Sequence, residues 1–118
     1  MKIAIDFDGT IIQDKPGWKP PYEFQPGAAD AIKSLKMNGH EVVIFSARSS
    51  GKDERNRQLH RWMIDFLDSQ GIPYDEVWEG QGKVRADLYI DDKGMRFDPS
   101  GFDGRSWKWI RYAYGMGA

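Results

Sequence analysis

The chain has 118 residues, enough to bury one core and not two, so a single domain over 1–118 is expected. Its 40% apolar and 30% charged residues are those of a globular protein, and a net charge of −1 offers no overall basic field to draw in nucleic acid. The absence of cysteine excludes disulfides, thiol catalysis and zinc–thiolate centres. No segment approaches the ~18 apolar residues of a membrane span, and no long apolar leader opens the chain, so a cytoplasmic location and no membrane contact are expected.

In chain order, Lys2 to Phe7 reads as a buried strand that runs into two acids, Asp6 and Asp8, with Gly9 and Thr10 directly after. Asp is depleted in strands and unpaired carboxylates are costly to bury, so packing does not explain the pair. Residues 9–26 hold Pro16, Pro20, Pro21 and Pro26 with Trp18, Tyr22 and Phe24. This predicts a loop or small hairpin flap whose aromatics could fold over the strand end. A helix is expected from Pro26-Gly27 to about Asn38, with Ala28, Ala31, Ile32 and Leu35 inward and Gly39 as its left-handed cap.

Glu41 to Phe45 is a second, β-branched strand, followed by the loop Ser46 to Gly51. A long helix is expected from about Asp53 to Ser69, with Leu59, Trp62, Met63, Phe66 and Leu67 on one side. Tyr74 to Trp78 reads as a short strand, Glu79 to Lys83 as a polar loop, and Asp87 to Ile90 as a strand that ends in Asp91-Asp92. Residues 95–104 read as irregular and 106–114 as a terminal helix with Trp107, Ile110 and Tyr114 inward. His40 and His60 have no companion at metal-ligand spacing.

Strands alternating with helices predict an α/β, three-layer sandwich around a mainly parallel, Rossmann-like sheet. Such a sheet binds ligands outside the carboxyl ends of its strands. Those ends carry Asp6 and Asp8, Ser46, and Asp91 and Asp92. Asp6, Asp8 and Asp91 could give oxygen ligands to Mg²⁺, a hard cation that keeps waters and a phosphate oxygen among its ligands. One carboxylate could then attack phosphorus while a second moves the proton. A strand-end hydroxyl and a loop lysine could hold the transferring phosphoryl oxygens.

Asp6-Phe7-Asp8-Gly9-Thr10 resembles the first motif of the haloacid dehalogenase-like superfamily. Val43-Ile44-Phe45-Ser46 is similar to its second motif, and Lys83 with Ala86 to Asp92 to its third and fourth, in the family's order. The resemblance implies a Mg²⁺-dependent phosphatase acting through an aspartyl-phosphate. Asp6 would be nucleophile and metal ligand, and Asp8 the acid/base, with its backbone carbonyl on the metal. Ser46 and Lys83 would bind phosphate, with Lys52 a second candidate for the lysine. Asp91 would complete the metal site, and Thr10 and Asp92 would support it. Neither gap between motifs has room for a cap domain, so an open site is implied, suited to a large phosphoester or closed by a second copy of the chain.

The run from Ser46 to Lys52, with Trp62 beyond, is also similar to the phosphatase domain of phage-type polynucleotide kinase, which removes 3′-phosphates from nucleic-acid ends. That likeness would set Arg48, Lys52, Arg55, Arg57 and Arg61 against backbone phosphates. A phosphotransferase, or a binding domain on the same fold without chemistry, remains an alternative.

Overall fold

The structure is a computed structural model that describes residues 1–49, 51–79 and 84–92. Strand β1 (Lys2–Asp6) lies beside β2 (Glu41–Phe45), parallel, with Ile3 opposite Val42 and Ile5 opposite Ile44. β3 (Glu76–Val77) extends the sheet beyond β2, and β4 (Leu88–Ile90) extends it on the other side of β1. The order is β3-β2-β1-β4, every pairing parallel. β1 and β2 are therefore paired on both edges, and the buried runs Ile3 to Ile5 and Val42 to Ile44 are what such strands require.

Helix α1 (Ala28–Met37) follows the flap and α2 (Glu54–Ser69) follows β2. Ile32 of α1 and Met63 and Leu67 of α2 join one apolar cluster with Ile3, Ile5, Phe7, Val42 and Ile44. Both helices thus cover the same face of the sheet. α1 is turned slightly from the expected face, because Ala29 packs against the cluster while Ala31 is exposed. Gly39 takes the expected left-handed cap (φ 85°). Asp53 caps α2, its carboxylate accepting from the Asn56 amide at 2.8 Å.

On the opposite face Ala4, Val43 and Val84 form a second cluster with Phe45, Trp78, Ala86 and Tyr89. Val84 lies between β3 and β4, whose connection crosses the sheet past β2 and β1. The link is pinned at its end: the Lys2 amide donates to the Asp87 carboxylate (2.7 Å) and the Asp87 amide to the Lys2 carbonyl (2.8 Å). The helix expected over 106–114 and the irregular stretch 95–104 lie outside the described residues, as does Lys83.

The flap is a small hairpin rooted in the core. The Gln13 amide donates to the Glu23 carbonyl (2.8 Å) and the Gln25 amide to the Ile11 carbonyl (2.9 Å), while Ile11 and Ile12 are buried. The result is the expected α/β fold around a Rossmann-like parallel sheet, with no large cap among the described residues. No described helix is long and apolar enough to cross a membrane.

Candidate active site

Parallel pairing brings the carboxyl ends of β1, β2 and β4 to one edge of the sheet. A cavity of about 310 Å³ opens there, lined by Asp6, Asp8, Asp14, Trp18, Phe45, Ser46, Ala47, Asp91 and Asp92. Asp6, Asp8, Ser46, Asp91 and Asp92, predicted to meet although up to 86 positions apart in the chain (92 − 6), line the same space. Asp14, from the flap, was not anticipated; a lone acid among prolines carries no signal.

Asp6 ends β1 half-buried, and its pKa is raised to about 7. Burial is the main cause, followed by the negative charges of Asp92 and Asp8; a backbone hydrogen bond from Phe7 works the other way. The cavity therefore concentrates carboxylates, one of which, Asp8, is engaged by Arg48. Among the described residues no three acidic or histidine side chains already form a cage for an ion. A hard cation that takes one or two carboxylates and completes its shell with water and phosphate fits such a wall. Asp6 and Asp91 would offer side-chain oxygens to it.

Asp8 is held differently. Arg48 grips it with two hydrogen bonds, Nε to Oδ2 at 2.9 Å and Nη2 to Oδ1 at 2.8 Å. The Arg48 side chain is wholly buried, whereas that of Asp8 is 12% exposed. Both donors of Nη1 are also used, reaching the Tyr22 hydroxyl (2.6 Å) and the Leu59 carbonyl (3.1 Å). The guanidinium lies 4.8 Å from the Tyr22 ring centre and 5.1 Å from that of Phe7. Burial opposes its charge, but the hydrogen bonds to Asp8 and Tyr22 prevail and hold Arg48 protonated above its ordinary value. The likeness to the polynucleotide kinase phosphatase would set Arg48 against backbone phosphates; its side chain is instead buried, held by Asp8, Tyr22 and Leu59.

Ser46 follows β2 directly. Its hydroxyl donates to Asp8 Oδ2 at 3.3 Å and accepts from the Arg48 amide at 3.1 Å. Gly9 takes φ 85°, and a Cβ there would overlap the Asp92 carboxylate. Glycine is thus needed twice over, for the backbone angle and for the close approach of Asp92 to the turn. The Thr10 hydroxyl is buried without a hydrogen-bond partner among the described residues.

The flap aromatics divide. Tyr22 packs edge-on against Phe7 and Phe66 and belongs to the core, while Trp18 lines the cavity. Trp18 has φ 53°, uncommon for a bulky residue, and its carbonyl accepts from the Tyr22 hydroxyl at 2.7 Å. Lys52 is exposed and lines a neighbouring cavity rather than this one.

No family model matches the chain. Over 80 residues, 62% of the chain, it is 35% identical to a D-glycero-beta-D-manno-heptose-1,7-bisphosphate 7-phosphatase of Rhodopseudomonas palustris. The stretch covers 44% of that relative, so the chain spans less than half of its length. The fold is similar over 100% of the chain to a conserved protein of Bacteroides thetaiotaomicron, with a TM-score of 0.61, 26% identity and 93% of that protein covered. These two likenesses agree with the order of the motifs and with the sheet that gathers them, and both support the chain's resemblance to the haloacid dehalogenase-like superfamily.

Proposed function

We propose that the protein is a Mg²⁺-dependent phosphomonoester hydrolase that works through a phosphorylated Asp6. The observation that carries the reading is the convergence of Asp6, Asp8, Ser46 and Asp91 on one carboxylate-rich cavity at the sheet edge. Its relative in Rhodopseudomonas palustris, a phosphatase by name, supports the same reaction class. Asp6 and Asp91 would hold the cation with the backbone carbonyl of Asp8. When bound, Mg²⁺ neutralises phosphate charge and lets the Asp6 carboxylate approach phosphorus.

In the first half-reaction an Asp6 oxygen attacks phosphorus. The bond to the ester oxygen breaks, and that oxygen takes a proton from Asp8. In the second, Asp8 takes a proton from water, the water oxygen attacks phosphorus, and the bond to Asp6 breaks to give inorganic phosphate. Asp8 begins and ends protonated, so the cycle closes, and the ionised form between the two halves is the one Arg48 would hold through both oxygens. Arg48 is a positioning residue in this scheme: by gripping Asp8 through both oxygens it fixes the side chain beside Ser46. Ser46 would donate to a phosphoryl oxygen, and Lys83 would supply a cation; Lys52, the second candidate, lines the neighbouring cavity.

Hydrolysis of an aryl phosphate with Mg²⁺, by the natural chain and by Asp6→Asn, tests the proposal. Loss of the nucleophile should lower kcat by ~10³-fold or more. Equal activity in the two proteins would remove the covalent route, and an inert natural chain across many phosphate esters would remove the enzyme.

A further inference from the structure

A second concavity adjoins the first. It has a volume of about 580 Å³, within the range of ~300–1,000 Å³ usual for ligand clefts. The 3₁₀ turn Ala47–Ser49 separates the two: Ser46 and Ala47 line the acidic cavity, Arg48 and Ser49 the second one. The far wall of the second cavity is α2, which contributes Arg57, His60 and Arg61, and Lys52 stands just before that helix.

The two cavities are of opposite charge. Carboxylates dominate the first, whereas Lys52, Arg57 and Arg61 line the second and make no ion pair among the described residues. Arg48 also reaches its wall, but its charge is committed to Asp8. Glu79 is the acid on this wall, and His60 engages it, with Nε2 3.0 Å from Oε1. The same His60 ring meets the Ser49 hydroxyl through Nδ1 at 2.6 Å, which ties the separating turn to α2. What remains facing the space is cationic.

We propose that this basic cavity binds a second phosphate group, carried by the same small substrate whose scissile phosphate enters the acidic cavity. The assignment rests on the phosphatase reading above and names its substrate class: a bisphosphorylated small molecule rather than a simple monophosphate. Three cations around one concavity suit a single dianionic group, since arginine and lysine donors strengthen when the acceptor is charged. A nucleic-acid strand would call for a longer track. Arg55, exposed on the same helix, is not among the residues that line the space.

Two measurements test this. In the first, inorganic phosphate is titrated into the full chain in EDTA, observed by NMR. Without a divalent cation the acidic cavity repels the anion, so signals from Lys52, Arg57, His60 and Arg61 should shift and saturate. They should not shift in the Arg57→Ala/Arg61→Ala variant, whose replaced side chains are exposed and whose fold circular dichroism would verify. Absence of shifts at these residues in the natural chain overturns the subsite, whether or not the protein is a phosphatase. In the second, fructose 1,6-bisphosphate, fructose 6-phosphate and a 3′-phosphorylated oligonucleotide are compared as substrates with Mg²⁺. The double variant should raise KM for the bisphosphate about tenfold or more, with kcat unchanged, and leave the monophosphate alone. Equal effects on both sugar phosphates, or an effect confined to the oligonucleotide, contradict the assignment.

Discussion

Arg48 should be the most costly side chain of the site to remove, and the cost can be worked from its contacts. Arg48→Ala would strip the two guanidinium hydrogen bonds from the Asp8 carboxylate and remove those to the Tyr22 hydroxyl and the Leu59 carbonyl. Breaking a buried pair by removing one partner costs about 3–5 kcal/mol. Asp8 keeps 12% of its side-chain surface, so water relieves part of its stranded charge and the lower end applies, ~3 kcal/mol. Loss of packing against Phe7 and Tyr22 adds to this, while Arg48→Lys would keep the charge but lose the fork and fall between. In urea, where m is ~1–3 kcal/mol/M, the midpoint should fall by about 1–3 M. A double-mutant cycle with Asp8→Asn should show coupling above ~1 kcal/mol, because the second change removes the charge the first one stranded. A stability loss under ~1 kcal/mol, or effects that simply add, would refute the view that Arg48 holds Asp8.

Further outcomes follow from the same geometry. Gly9→Ala should strain the left-handed turn and collide with Asp92, lowering kcat by ~10-fold or more and reducing stability by about 1–3 kcal/mol; kinetics and urea unfolding measure both. Asp6 has a raised pKa, so its contribution to stability is full below 3.8 and is lost as pH rises toward about 7. Thermal unfolding in EDTA should therefore show Tm falling over that window, and Mg²⁺ should restore it at the upper end; a pH-independent Tm that ignores Mg²⁺ would count against the carboxylate cavity. Asp75 shows the opposite sign. Lys36 and the Val42 amide hold its pKa below the ordinary 3.8, so its contribution is present above that value and lost in acid. Asp75→Asn should flatten the acid limb of the same curve, and an unchanged limb would show that this contact does not hold α1 to β2.

The convergence of Asp6, Asp8, Ser46 and Asp91 was legible because two periodicities suffice to predict it. Buried β-branched runs mark strands, helices between them impose parallel order, and parallel order puts every strand end on one edge. Arg48 was not legible in the same way. It sits in a polar loop between Ser46 and Gly51 and reads as a solvated arginine until Asp8, Tyr22 and Leu59, 40, 26 and 11 positions away, close around it. Tyr22 misled for the matching reason: an aromatic among prolines suggests a flap folded over the strand end, yet its ring is held by Phe7 and Phe66 and its hydroxyl by Arg48. The close approach of Asp92 to Gly9 joins two distant motifs and has no local pattern. The second cluster lacked a signal too, since Trp78, Val84 and Ala86 follow no regular period.

The central claim is that Asp6 carries the phosphoryl group between substrate and water. The most direct measurement is acid quench of the natural chain during turnover of a ³²P-labelled phosphate ester with Mg²⁺, followed by mapping of the labelled peptide. Label is expected on Asp6, lost to hydroxylamine as an acyl phosphate must be and absent in Asp6→Asn. Release of phosphate with no trapped label, or label on Ser46 or Ser49 instead, would contradict it.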